Sequence, residues 1–373
     1  MNIGVLGAGQ LGRMLAQAGG PMGFTFRFLS PESESCVSGL GEHLVGDMCD
    51  SSLLQRFAAG LDAVTFEWEN VPLAAVDRLA QLLPVRPSSQ SLACAQDRVL
   101  EKQFLNGCGL RVQAFAPIDG PQDFRVALEA VALPAMLKTR RMGYDGKGQA
   151  KVCKPHELEL AWNALGSVPA IFERWIPFES EISILGVRGE DAHGNEDIRL
   201  WKPCKNFHQH GILQKTVSPA SGVDEVVLHQ AEQGVRTVLS RLRHEGVLCV
   251  EFFLEQGQLI ANEMAPRVHN SGHWTIEGAC TSQFQNHLLA VARRPLGSTD
   301  SPCVSVMCNL IGEVHNPRAA LPPEVSLHLY GKSPRAGRKL GHLTSVAQRE
   351  SVALERASEA LAALVNQPAS ARG

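Results

Sequence analysis

Two apolar runs, 247–254 and 259–261, stand on either side of Glu255-Gln256-Gly257-Gln258. That pattern commits the segment to a β-hairpin, with Gly257 free to take a positive φ. One carboxylate falls on each arm, Glu251 and Glu263. If the loop holds an odd number of residues, the two face each other on one side of the sheet. Neighbouring carboxylates that leave water repel, and each loses hydration worth several kcal/mol. A hard divalent cation relieves both penalties. Mg²⁺ accepts one or two carboxylates and completes its shell with water and phosphate oxygens, and Mn²⁺ can use the same ligands. The plainer alternative is two glutamates on a solvated strand face. Against it, Arg267, His269, Asn270, Ser271 and His273 follow within ten residues of Glu263. Loops after strands commonly carry function, and this one suggests a metal site that handles anions.

The chain of 373 residues is long enough for two or three domains. Its net charge of −3, with no long basic run, makes nucleic acid an unexpected partner. No apolar run reaches the ~18 residues of a membrane span. The N-terminus opens directly on strand-like Asn2-Ile3-Gly4-Val5-Leu6 and shows no signal-peptide n-region. Ten scattered cysteines include no Cys-x-x-Cys pair, so reduced thiols in a cytoplasmic protein are expected, not structural zinc.

Gly7-x-Gly9-x-x-Gly12 follows the first strand and opens an amphipathic helix, with Glu32 and Glu34 about twenty residues on. This matches the dinucleotide-binding fingerprint and supports an NAD-dependent oxidoreductase as an alternative. The glycines by themselves license only a tight turn and an anion at a helix N-terminus. A buried strand at 63–66 ends in Glu67-Trp68-Glu69-Asn70, at the carboxyl edge where open α/β sheets bind ligands. Helices are expected over 51–60, 72–83 and 90–106. Strand 135–138 leads into Thr139-Arg140-Arg141-Met142-Gly143-Tyr144-Asp145-Gly146-Lys147-Gly148-Gln149 and then another strand. A strand-to-strand loop without Gly-Lys-Ser/Thr is not a Walker A loop, but its glycines and cations suit a lid over phosphates. Strands are expected over 170–176 and 181–187, and His208-Gln209-His210-Gly211 reads as a polar loop. A helix over 226–245 leads into the hairpin, and a basic turn at 332–339 offers Arg geometry to a phosphate.

The motifs Phe66-Glu67-x-Glu69-Asn70-Val71-Pro72, Gly143-Tyr144-Asp145-Gly146-Lys147-Gly148-Gln149, His208-Gln209-x-Gly211-Ile212-Leu213 and the run 265–275 recur together. As a set they resemble the ATP-grasp superfamily and, within it, the 5-(carboxyamino)imidazole ribonucleotide synthases. The resemblance implies an α/β fold with an α+β lid. A Rossmann-like parallel-sheet domain would occupy 1–95, a helix plus lid 96–185, a mixed-sheet subdomain with the metal site 186–315 and a small C-terminal unit 316–373. It implies ATP-driven carboxylation of the amine of 5-aminoimidazole ribonucleotide by bicarbonate in purine biosynthesis, in a cytoplasmic homodimer. Another ATP-grasp ligase or transformylase is the alternative.

The same resemblance assigns roles. Nucleotide contacts would be Arg98, Lys138, Gly143, Tyr144, Asp145, Gly146, Lys147, Gly148, Gln149, Glu173, Ile176, Glu181, His208, Asn262 and Glu263. Glu251 and Glu263 would hold Mg²⁺. Glu69, Tyr144, Asp145, Arg267 and His269 would surround the carboxyl donor and the imidazole, with Lys332 and Arg338 on the ribonucleotide phosphate. Arg267, Asp145, Lys147 and His269 would be catalytic, and the Gly7–Gly12 turn would face the ribonucleotide. Ala265 and His210 depart from the family pattern, which carries Asn and Asp there.

Overall fold

The first sheet grows from short apolar runs. β1 (Asn2–Leu6), β2 (Thr25–Ser30), β3 (Glu42–Val45) and β4 (Ala63–Phe66) are parallel throughout, in the order β3-β2-β1-β4. All of β4 and the last four residues of β1 are buried, as a sheet covered on both faces requires. α1 (Gln10–Gly19), α2 (Ser51–Ala58) and α3 (Leu73–Ala80) provide that cover. The computed structural model describes residues 1–143, 148–191 and 193–365.

The helix expected over 90–106 is two helices, α4 (Ser89–Gln96) and α5 (Arg98–Gly107). Asp97 leaves helical geometry at φ −122°, ψ 107°, and its carboxylate caps α5 by accepting from the Val99 and Leu100 amides. Asp is a preferred N-cap for this reason. A second sheet, β5 (Phe115–Ile118), β6 (Ala135–Thr139), β7 (Gln149–Val152) and β8 (Ala170–Arg174), is antiparallel in the order β5-β8-β6-β7. With α6 (Phe124–Ala130) and α7 (Glu157–Ala164) it encloses its own core around Ile118, Leu137, Val152, Leu158 and Phe172.

The remaining strands are β9 (Ser180–Glu190), β10 (Glu196–Leu200), β11 (Cys204–Gln209), β12 (Ile212–Ser218), β13 (Gly246–Glu255), β14 (Gln258–Ala265), β15 (Val304–Ile311), β16 (Val325–Leu329) and β17 (Lys339–Ala347). They form one sheet in the order β14-β13-β9-β11-β12-β15-β17-β16, with β10 also on β9. Each of its described ladders is antiparallel, since tight turns such as 210–211 and 256–257 return the chain alongside itself. A parallel bridge, Val112 to Ala261, caps its β14 edge. The line expected at 185/186 falls inside β9, and that at 315/316 separates β15 from β16 within this sheet. His208 and Gln209, expected in a loop, end β11, while His210 and Gly211 make the turn with φ of 51° and 76°. The helices here are α8 (Glu225–Arg241), α9 (Thr275–Gly278), α10 (Gln283–Val291) and α11 (Glu350–Val365). Among the described residues no helix is long and apolar enough to cross a membrane, and all ten cysteines are free thiols.

One buried histidine ties the first sheet to the last. His287 on α10 accepts from the Val247 amide of β13 at Nδ1 (3.1 Å) and donates from Nε2 to Thr65 of β4 (2.8 Å). Burial pushes its pKa from 6.5 down to about 3. Because the folded value is depressed, the neutral ring's contribution is complete above 6.5 and is lost as pH falls toward 3. A His287→Gln variant should be less stable at pH 8, and the gap should narrow below pH 6.5 by about 1.4 kcal/mol per pH unit. Urea unfolding of both proteins across pH checks this, and a constant gap would contradict it.

Candidate active site

The hairpin closes through Gln256 (φ 51°) and Gly257 (φ 72°), the two left-handed residues of a two-residue turn. An even loop would set Glu251 opposite Asn262. A β-bulge between Glu251 and Phe252 shifts the register, so that Phe252 pairs with Ala261 and Glu251 pairs with Glu263. The expected opposition therefore arises from the bulge, with Asn262 as the extra residue, and not from loop length. Glu251, Asn262 and Glu263 all line one cleft of about 1020 Å³.

The two carboxylates titrate as a pair and diverge. Burial, then repulsion from Glu263, pushes Glu251 up to about 7. Burial would raise Glu263 as well, but Arg98 at 2.9 Å, backed by Lys138 and Lys102, holds it down to about 2. Asn262 Oδ1 is buried with no hydrogen-bond partner among the described residues. Two carboxylates and an orphaned amide oxygen are hard donors that fit Mg²⁺. No cluster of three or more His, Cys, Asp or Glu among the described residues is placed to hold a metal alone. Ala265 also lines the cleft and offers no side-chain ligand, so water or phosphate must complete the shell.

Behind this pair lies a chain of buried ions. Glu173 of β8 is held by Lys138 of β6 at 2.7 Å and by Lys102 of α5 at 3.5 Å. Burial opposes its charge, but the two ammonium groups prevail and hold it at about 2. Farther along the cleft His208 pairs with Glu181, and that partner raises His208 despite its burial. Ile176 lines the wall beside Phe178 and Phe253, whose rings stack at 4.6 Å. Gly143 and Gln149 reach the cleft, whereas Gly148 does not line it. Gly148 serves the hairpin instead: its φ is 70°, and a Cβ there would meet Thr139 Oγ1 at 2.7 Å. Tyr144, Asp145, Gly146 and Lys147 lie outside the described residues. Two cations expected to face phosphates, Arg140 and Arg141, pair with the buried Asp97 at 2.7 and 3.1 Å.

Also on the cleft lining, Arg267 pairs with Glu69. Both are largely withdrawn from water, and each still keeps its charge because the partner's charge outweighs burial. His269 Nε2 stands 3.3 Å from Glu251, while its Nδ1 meets Ser271 Oγ at 2.8 Å. Burial and then the Arg267 charge push His269 down to about 3, so the ring is neutral. Gln283, fully buried, clamps the His269 backbone at both its amide (2.8 Å) and its carbonyl (2.7 Å).

The glycine-rich turn already holds an acceptor from the chain itself. The Glu67 carboxylate accepts from the amides of Gly9 and of Gly12 (2.5 Å). A Cβ at Gly7 would fall 2.4 Å from Glu67 Cγ, and one at Gly9 would fall 2.8 Å from its Oε1. The glycines therefore make room for a side chain of the same protein, and the pyrophosphate position of the NAD reading is filled. Gly9 and Gln10 still border the cleft. Lys332 and Arg338 are not part of its lining. Lys332 contacts Gln10, and Arg338 pairs with Glu34 at 2.8 Å. Glu34, an acid candidate for a ribose, thus serves the basic turn.

Comparison with known proteins agrees with this geometry. Residues 1–96 match the ribonucleotide synthetase preATP-grasp domain and 103–284 the ATP-grasp domain. Residues 305–356 match the phosphoribosylaminoimidazole carboxylase C-terminal domain. The N5-carboxyaminoimidazole ribonucleotide synthase of Pseudomonas aeruginosa is 47% identical over 347 residues, covering 92% of this chain and 94% of that one. The chain belongs to the N5-carboxyaminoimidazole ribonucleotide synthases. The crystal structure of the Thermus thermophilus synthetase superposes with a TM-score of 0.89 at 45% identity, covering 98% and 99% of the two chains. The Aspergillus clavatus synthase in complex with ADP and 5-aminoimidazole ribonucleotide gives 0.85 at 27% identity, covering 96% and 97%.

Seen as a synthase, the chain places fourteen of its sequence-expected residues along one cleft: Glu69, Arg98, Lys138, Gly143, Gln149, Glu173, Ile176, Glu181, His208, Glu251, Asn262, Glu263, Arg267 and His269. Glu101, Gln113, Phe178, Phe253 and Lys339 line it too. Phe178 follows Pro177 in an irregular segment, and Phe253 sits inside an apolar run, so neither stood out in the sequence.

Proposed function

We propose that the chain carboxylates the amine of 5-aminoimidazole ribonucleotide with bicarbonate, driven by ATP, and releases ADP and phosphate. The observation that carries this reading is one cleft joining the Lys138–Glu173 pair, the Glu251–Glu263 pair and the Arg267–His269 segment. The Aspergillus clavatus complex with ADP and 5-aminoimidazole ribonucleotide supports adjoining sites for two small molecules.

Bicarbonate is a poor electrophile and must be activated. The bond from the γ-phosphorus to ADP breaks and one to a bicarbonate oxygen forms, giving carboxyphosphate. The amine nitrogen then attacks its carbon, phosphate leaves with the C–O electron pair, and the amine gives up a proton. Mg²⁺, or Mn²⁺, held by Glu251 and Glu263 with Asn262 beside them, supplies charge neutralisation at the phosphates. Lys138, kept in place by Glu173, meets the same phosphates. The Phe178–Phe253 wall and Ile176 hold the adenine, and the His208–Glu181 pair takes the ribose. Arg98 orients Glu263 and keeps it ionised. Arg267, steadied by Glu69, orients bicarbonate and stabilises the charge of carboxyphosphate. Neutral His269 donates toward Glu251 and shapes the wall between the two substrates. Lys332 and Arg338 take the ribonucleotide phosphate, with Arg338 exchanging Glu34 for it. Asp145 and Lys147, which lie outside the described residues, are assigned to the amine and the carboxyl donor. A cytoplasmic homodimer completes the reading, and sedimentation velocity tests the dimer.

ADP release should require ATP, Mg²⁺ and bicarbonate, and should rise strongly when 5-aminoimidazole ribonucleotide is added. Release that ignores the ribonucleotide but responds to another acid or amine would leave a different ATP-grasp ligase.

A further inference from the structure

The bulge that brings Glu263 opposite Glu251 is held from outside the sheet. β14 is an edge strand, so beyond the Val112–Ala261 bridge, where the Ala261 amide donates to the Arg111 carbonyl at 2.7 Å, backbone groups on its outer side lack a ladder partner. A bulge leaves still more of them unpaired. Three ionisable side chains of α5 face this edge. Lys102 Nζ donates to the carbonyl oxygen of Ala261 (3.2 Å) and to that of Asn262. Glu101 accepts from the Met264 amide at 2.6 Å, and Arg98 donates to the Glu263 carboxylate at 2.9 Å. These contacts bracket the bulge on both sides. Glu101 and Lys102 are only 2% and 1% exposed, so their polar groups are committed to these partners. Lys102 also donates to Gln113 at 3.1 Å and meets Glu173 at 3.5 Å. One ammonium thus joins the bulged strand to the acid that holds Lys138.

We propose that Lys102 is a positioning residue for the metal pair: by holding the carbonyls of Ala261 and Asn262 it fixes the bulge, and so keeps Glu263 opposite Glu251 and Asn262 on the cleft. It touches neither the metal nor the substrates. This inference rests on the reading of Glu251 and Glu263 as metal ligands. A neutral hydrophobic side chain in its place would take the ammonium away from both carbonyls, and the strand would be free to relax toward the regular register that sets Asn262 opposite Glu251. Glu173 would keep Lys138 at 2.7 Å, so the fold should survive the change.

The test uses Mn²⁺ as the probe, with the full-length parent, Lys102→Met and Lys102→Gln proteins. Free Mn²⁺ is followed by electron paramagnetic resonance at saturating ADP, and ADP affinity without metal is measured by calorimetry. Lys102→Met should weaken Mn²⁺ binding about 10–100-fold, the range seen when groups behind a metal ligand are removed. ADP affinity without metal should hold, and Lys102→Gln, which can donate to one carbonyl, should recover part of the loss. A general loss of stability would not separate these readouts. A folded Lys102→Met protein with parental Mn²⁺ affinity would overturn the proposal, and should that variant fail to fold, Lys102→Gln with parental affinity does the same. A parent protein that binds no Mn²⁺ with ADP overturns the metal reading itself, and this inference with it.

Discussion

Arg267→Ala should lower ADP formation in the complete reaction by about 10²–10³-fold, the range for removing one preorganised donor from developing negative charge. Affinity for ADP should stay close to that of the parent. Arg267 lines the cleft with Glu69 and His269 and is paired with Glu69, not with the Lys138–Glu173 pair, which gives it a part in chemistry separate from nucleotide binding. Only 14% of the Arg267 side chain is exposed, so a fixed guanidinium acts there at low dielectric. Arg267→Lys keeps the charge but loses the planar fork and should fall between the two. Single-turnover phosphate release and ADP titration separate the steps. Lost ADP binding, or turnover equal to the parent's, would remove Arg267 from this role.

Glu173→Leu should destabilise the fold by about 3–5 kcal/mol, the size found when one partner of a buried ion pair is removed. Total stabilities are about 5–15 kcal/mol, so a loss of that size should be plain in urea unfolding. The acid and Lys102 are each 1% exposed, so the stranded ammonium has no water to turn to. Lys138, at 13%, can still reach the cleft. Pairing the change with Lys102→Met removes both charges and should restore much of the loss, since apolar replacement of a whole buried pair is often neutral. The sign with pH follows from the depressed value of about 2. The contribution of Glu173 is full above 4.5 and fades as pH falls through that range toward 2. A single-variant loss below about 1 kcal/mol, the size of an exposed pair, would contradict the argument.

The hairpin was legible because Gln-Gly between apolar runs is local chemistry. Its register was not. The bulge depends on Lys102, which reaches Asn262 from 160 residues away and in sequence resembles any lysine on an amphipathic helix. Glu101 and Lys102 carry no local signal of their contacts, which exist only once the edge strand is placed against them. The Glu69-Arg267 juxtaposition was implied only by family likeness, as its partners sit 198 residues apart. Helix 90–106 looked continuous because apolar periodicity persists through Asp97, whose capping role shows only in its dihedrals. The loop arginines looked like phosphate ligands by density alone, while their engagement with Asp97 needed the tertiary fold.

The glycine turn offers a lesson for protein engineering. Because Glu67 supplies its own carboxyl group to the amides of Gly9 and Gly12, the turn is complete before any ligand arrives. Anyone hoping to graft dinucleotide binding onto this scaffold would gain nothing by adding a ribose acid or reshaping the helix. The occupant would have to be evicted first, and the vacated pocket, sized for a carboxylate with three glycines pressed around it, would then need a new tenant to keep its shape.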